Sequence, residues 1–283
     1  MSTVKRLRIS LGTLVAVEAT STSPGAAEAA VEAAFAVLTQ LSQRLHPHSA
    51  ESDLARINNA PPQTCVPVHS TTCDLLNLAQ RLNTLTHGVF DPCLPARAGR
   101  LQDIEVSNGR LFCHAPVALD FGGFAKGYAV DCAIEALMSH GCTAGLVNAG
   151  GDLRVFGART ESLYLRGPAG GLTPIELSNA ALAVSDADSR DRPVEHQGYY
   201  IRGLATATRG RHPVSARYAA VIAKEAVVAD ALTKCVLLCP GPTASQVLKA
   251  YGATQPLAQA QPPGLTQPPG RTHPPGRTQP ASQ

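Results

Sequence analysis

A carboxylate, two adjacent glycines and a lysine follow one another closely in the run Leu119-Asp120-Phe121-Gly122-Gly123-Phe124-Ala125-Lys126-Gly127. Glycines ahead of a helix let backbone N–H groups approach a ligand, and a helix start favours anions, so this run suits a phosphate or a carboxylate. The spacing is neither G-x-x-x-x-G-K-[ST] nor G-x-G-x-x-G, which excludes a Walker loop and a dinucleotide fingerprint. A second polar group follows at Asn148, Gly150, Gly151 and Asp152, and a further acid, Asp230, stands near the C-terminal side. A tight turn beside a solvated lysine would account for the glycines equally well.

These residues need elements to position them. Ala129, Val130, Ala133, Ile134 and Leu137 repeat at helical spacing after Lys126, and Gly141 stops that helix. Ala144 to Val147 reads as a short buried strand, Asn148 to Asp152 as a glycine turn and Leu153 to Phe156 as a second strand. Upstream, residues 5–19 partly alternate and break at Gly12, as one or two strands would. Pro24 to Leu45 is an alanine-rich helix with a continuous apolar face, and Ser52 caps a new turn carrying Asp53, Leu54, Ile57 and Asn58. Val66 and Val68 suggest a strand, Thr71 to Thr86 a helix, and Asn108-Gly109 the turn of a hairpin between Ile104, Val106 and Leu111, Phe112. Strands are expected at Leu163 to Arg166, Ile175 to Leu177, Ala181 to Ser185 and Ala219 to Ala223, and the run from Val228 opens an apolar helix or a strand-edge turn.

Composition narrows the classes of function. With 283 residues the chain can bury a sizeable core, and its 16% charged residues fall below the usual quarter or so. The net charge of +3 includes Arg271 and Arg277 of an acid-free tail, so the body lacks the clustered basic face that nucleic acid needs. Eight cysteines without a C-x-x-C pair argue against a zinc site and for a reducing, cytoplasmic setting. The N-terminus lacks an uninterrupted apolar region, and no stretch reaches the roughly 18 apolar residues of a membrane span, so neither export nor membrane insertion is expected. His46 and His48 flank Pro47 on a loop, where exposed imidazoles are expected rather than a metal pair. From about Gln255 the repeats QPPGLT, QPPGRT and HPPGRT bury too little to offset their ordering entropy, which divides the chain into a folded unit, 1–254, and a disordered tail, 255–283.

The central stretch resembles the ApbE family of FAD:protein FMN transferases. Their signature runs approximately L-D-[LFG]-G-G-[IF]-A-K-G-[YF]-x-[VA]-D, then N-x-G-G-D and a closing glycine. This chain carries Leu119, Asp120, Gly122, Gly123, Ala125, Lys126, Gly127, Tyr128, Val130 and Asp131, then Asn148, Gly150, Gly151, Asp152 and Gly157. Leu11-Gly12-Thr13 is similar to the family's opening M-G-T, Ser52 to Asn58 to its S-[ED]-L-x-x-[IL]-N, and Thr86 to Pro92 to its T-x-G-x-F-D-P.

The resemblance implies a mixed α/β fold, of α+β character, with helices on mixed or antiparallel sheets and a flavin site between two subdomains. It implies FAD as substrate, Mg2+, and an acceptor flavoprotein whose serine or threonine takes FMN. Cofactor-binding roles would fall to Leu11, Val89, Phe90, Asp91, Asp120, Lys126, Asn148, Gly150, Gly151 and Asp152. Metal binding would fall to Gly123, Asp230 and Thr233, and catalysis to Asp230 and Lys126. Two departures stand out. The family's H-x-[IV]-D-P-x-[TS]-G-x-P has no counterpart in Tyr199 to Ser215, and neither His196 nor His212 takes its histidine's place. In the family's A-D-A-[LW]-[AS]-T the threonine four residues after the acid holds magnesium, whereas here that position is Lys234 and Thr233 sits one residue early. A same-fold flavin-binding protein without transfer, or a pyrophosphatase splitting FAD to FMN and AMP, are the competing readings.

Overall fold

The computed structural model describes residues 1–46, 49–94, 96–167, 171–186, 216 and 218–256. His48, the block from Tyr199 to Ser215 with His212, His196, and the repeats beyond 256 lie outside the described residues.

The chain opens with a hairpin, β1 (Ser2–Ser10) and β2 (Thr13–Ser21), closed by Leu11 and Gly12, both at positive φ. The helix α1 (Pro24–Leu45) starts on Ser23, whose hydroxyl accepts the Ala26 N–H at 3.3 Å, and buries a stripe running from Ala27 and Ala30 to Leu38 and Leu41. Next come α2 (Asp53–Asn59), β3 (Cys65–Pro67), α3 (Ser70–Leu85) and the hairpin of β4 (Ile104–Ser107) and β5 (Arg110–Cys113). The last three strands form a small sheet in the order β3-β5-β4.

The helix α4 (Ala125–Ser139) leads into β6 (Ala144–Ala149) and β7 (Asp152–Gly157). A separate hairpin, β8 (Thr160–Arg166) with β9 (Leu172–Ser178), precedes β10 (Ala181–Asp186) and β11 (Tyr218–Ala223). Two helices, α5 (Ala226–Leu238) and α6 (Gly241–Ala250), complete the described chain. Among the described residues the main sheet has six strands, β1-β2-β6-β7-β10-β11, each antiparallel to its neighbour.

Alternation along these strands sends side chains to two different cores. Val147, Ala149, Ala183 and Val221 join the large core beneath the helices, where α4 lies on β6 and β7 and α5 on β10 and β11. Leu146, Leu153, Val155 and Leu182 face the other way, into a smaller core closed by Leu177 of β9. The mixed α/β expectation, with helices on antiparallel sheets, therefore holds. The run from Val228 is a helix, every residue of which is buried. The sequence reading did not anticipate α6. All eight cysteines are free thiols, and no helix among the described residues is long and apolar enough to cross a membrane.

Candidate functional site

The site is built where α4 and α5 meet. Neither helix has a side-chain cap at its own N-terminus, since Phe124 and Glu225 make no capping bond. Each is instead capped by an acid from the other. Asp131 on α4 accepts the N–H groups of Ala226 and Val227, both at 2.8 Å. Asp230 on α5 accepts the N–H of Gly127 at 3.1 Å. Orphan amides of a first turn require such acceptors, and an acid there also meets the positive end of the helix dipole. The two helices come so close at Gly127 that a Cβ would lie 2.3 Å from the Ala226 carbonyl oxygen, which is why glycine stands there.

Four charges gather at the Asp230 end. Lys234, one turn along α5, pairs with Asp230 Oδ1 through its ammonium. Lys126 pairs with Asp152 Oδ2. Burial, and then the neighbouring Asp230 carboxylate, push Asp152 up to about 6, against the pull of Lys126 and Lys234. The two lysines differ in access, because the Lys126 side chain is 36% exposed and that of Lys234 only 5%. Thr233 donates its hydroxyl proton to the Asp230 carbonyl at 2.7 Å, so Ser185, also at 2.7 Å, is the donor in the bond between their hydroxyls.

Asp152 owes its place to a two-residue turn. Gly150 and Gly151 have φ of +65° and +104°, and Asn148 Oδ1 accepts the Gly151 N–H at 2.9 Å. A Cβ at Gly150 would meet Thr13 Oγ1 at 2.5 Å, so this turn packs against the Leu11-Gly12 turn. Leu11, Gly12, His46, Ala125, Lys126 and Ala129 line a cleft of about 280 Å³. The structure thus brings Leu11 and Lys126 to one cleft, and Lys126, Asp152, Asp230 and Thr233 to one cluster.

Other expected cofactor-binding residues work inside the protein. Phe90 is buried edge-on against Phe124, with ring centroids 5.5 Å apart. Asp91 is buried, and its carboxylate accepts the N–H groups of Cys93 at 2.9 Å and Leu101 at 3.4 Å. Val89 packs half-buried against the core. The T-x-G-x-F-D-P turn closes on itself through the Thr86 hydroxyl, which accepts the Phe90 N–H at 2.9 Å. It then holds the segment that leads into α4, with the Asp120 N–H donating to the Pro92 carbonyl at 3.0 Å. The Phe90 and Asp91 side chains thus have interior partners and brace the Asp120 loop from beneath. Asn58 braces the same loop from the other side, exchanging two hydrogen bonds with the Leu119 backbone at 2.7 and 2.9 Å. Asp120 is half-exposed and accepts the Gly122 N–H at 2.7 Å. Gly123 follows on the half-exposed loop leading into α4.

Mg2+ was expected on Gly123, Asp230 and Thr233. One Asp230 oxygen already faces the Lys234 ammonium and the other an amide, while the Thr233 hydroxyl is engaged by Ser185 and a backbone carbonyl. An ion at Asp230 would stand against a buried like charge, so Asp230 and Thr233 do not fit a resident divalent cation. His46 is exposed, and among the described residues no group of three or more His, Cys, Asp or Glu could hold a metal.

Asp131 stands in the family signature, but the sequence alone shows no role for it. Its partners lie near residue 226, too far along the chain for spacing to reveal them. Arg154, bound to Asp131 Oδ1 at 2.7 Å, was missed for the same reason.

The fold and the charge cluster define a helix-backed antiparallel α/β protein with an anion-receptive cleft at a helix start. Solved structures of this architecture include the apo form of the flavinyl transferase ApbE from Pseudomonas stutzeri, at 21% identity and a TM-score of 0.75, covering 92% of each chain. The flavin transferase ApbE from Vibrio cholerae is similar at 18% identity and TM-score 0.73, over 89% of this chain and 92% of its own. The ApbE protein from Thermotoga maritima is similar at 23% identity and TM-score 0.73, over 89% and 91%. No curated protein matches the sequence. The ApbE family model matches residues 11–99 and 94–255, and the chain belongs to the ApbE family.

Proposed function

We propose that this chain is an FAD:protein FMN transferase, which moves FMN from FAD to a serine or threonine of an acceptor protein and releases AMP. The observation that carries the reading is the placement of Lys126. This lysine of the family signature opens α4, reaches the cleft beside Leu11, and is anchored by the buried Asp152. Family membership and the names of the two bacterial transferases of the same fold support it.

In the proposed reaction the acceptor hydroxyl oxygen bonds to the flavin-side phosphorus of FAD. The bridging P–O bond breaks with its electron pair remaining on the AMP phosphate, and the hydroxyl proton passes to solvent. Lys126 neutralises pyrophosphate charge from the cleft, and Asp152 orients its ammonium. The brace of Phe90, Asp91 and Asn58 fixes the Asp120 loop, so that alignment precedes reaction. Of the expected Mg2+ ligands, Asp230 and Thr233 are already engaged by Lys234, Gly127 and Ser185.

The test incubates the full chain with FAD and a candidate acceptor while AMP release and in-gel flavin fluorescence of the acceptor are followed. AMP together with a fluorescent acceptor supports transfer. AMP alone would replace it with hydrolysis, and intact FAD on the protein would replace it with binding only.

A further inference from the structure

We propose that the Lys234 ammonium permanently occupies, at Asp230, the position of a divalent cation, so that the chain binds its dinucleotide with no ion on that carboxylate. The identity of the ligand rests on the proposed function; the exclusion of the ion rests on the geometry alone.

The cluster holds two acids, Asp152 and Asp230, and two lysines, Lys126 and Lys234. A neutral side chain at 234 would leave two carboxylates facing one ammonium, and an incoming pyrophosphate would add to that excess of negative charge. A divalent ion on Asp230 would then be needed to offset it. Lys234 offsets it from within the fold. Its side chain is 5% exposed and leaves α5 one turn from Asp230, so the ammonium is held in place by the helix and does not exchange with solution. Gly127 takes the second Asp230 oxygen, so each oxygen of the carboxylate already has a protein partner. Contact with the anion falls to Lys126, the more exposed lysine of the two.

Mn2+ reports on the carboxylate directly, through loss of the electron paramagnetic resonance signal of the free ion. The full-length wild-type chain should leave that signal unchanged, and Lys234→Thr should bind Mn2+ roughly ten- to hundredfold more tightly than wild type. Adding Asp230→Asn to Lys234→Thr should abolish the gain. Lys234→Arg keeps the cation and should stay silent, which separates charge from folding if Lys234→Thr proves unstable. Wild-type Mn2+ binding that disappears in Asp230→Asn overturns the proposal, as does Mn2+ binding by Lys234→Arg or a folded Lys234→Thr that gains none. In parallel, FAD binding by the wild type is measured with excess chelator and with Mg2+. Equal affinity supports the proposal, and binding only with Mg2+ overturns it. Failure to bind FAD in either buffer overturns the proposed function, while the Mn2+ arm still decides the occupant of Asp230.

Discussion

The two ends of the α4–α5 contact use the same device for different purposes. At one end Asp131 receives two amides and the guanidinium of Arg154. At the other Asp230 receives one amide and the ammonium of Lys234, with a second acid and a second lysine alongside. Burial pushes Asp131 upward while its two amides and Arg154 draw it back; Arg154 lines a separate cleft with Asn179 and Lys224, and nothing in the set reaches the cleft beside Leu11. The Asp230 end includes Lys126, which does. Reciprocal capping fixes the helices, and the end with the extra ion pair is the one that reaches the cleft beside Leu11.

The largest effect should come from Asp131→Ala, which strands Arg154 and two buried amides. Breaking a buried pair in this way costs about 3–5 kcal/mol, read as a loss of unfolding free energy in urea. Gly127→Ala should cost about 1–3 kcal/mol by overpacking against Ala226. It should also weaken FAD binding, because parting the helices disturbs both ends; unchanged binding would show the Asp230 end to be independent of the contact.

Asp152 should titrate near 6 by carboxyl NMR, and lower in Asp230→Asn, which removes the charge that helps to raise it. The sign follows from the direction of the shift. A carboxyl raised in the folded state retains its proton there after the unfolded chain has lost its own, so this group's contribution falls as pH rises from about 4 to about 6. Loss of the proton in that window also completes the ion pair with Lys126. The smallest effect is expected for Ser23→Ala, a cap supplied from within its own helix start, at about 1 kcal/mol with FAD binding intact.

Local chemistry was legible in the sequence where both partners lie close together. Asn108-Gly109 and the Asn148 to Asp152 turn appear as hairpins because their positive φ values demand those residues. The stripe of α1 gave that helix almost residue by residue. By contrast α5 is buried on every side and so has no stripe, which left helix and turn undecided. The helix α6 does carry a stripe, Ala244, Val247, Leu248 and Tyr251 at helical spacing, so its absence from the expected elements was not forced by the sequence. The reciprocal caps join positions about a hundred residues apart, which no spacing can reveal. The motif at Phe90 and Asp91 is legible in the sequence, but it does not show that both side chains turn inward. Lys234 was legible as a departure, and its partner supplied the meaning.

Because each helix start takes a carboxylate cap from the other, neither can fray without loosening amides on both. In hydrogen exchange the first turns of α4 and α5 should therefore open as one cooperative unit, and a dinucleotide held at Lys126 should slow exchange at Ala226 and Val227 although it touches neither.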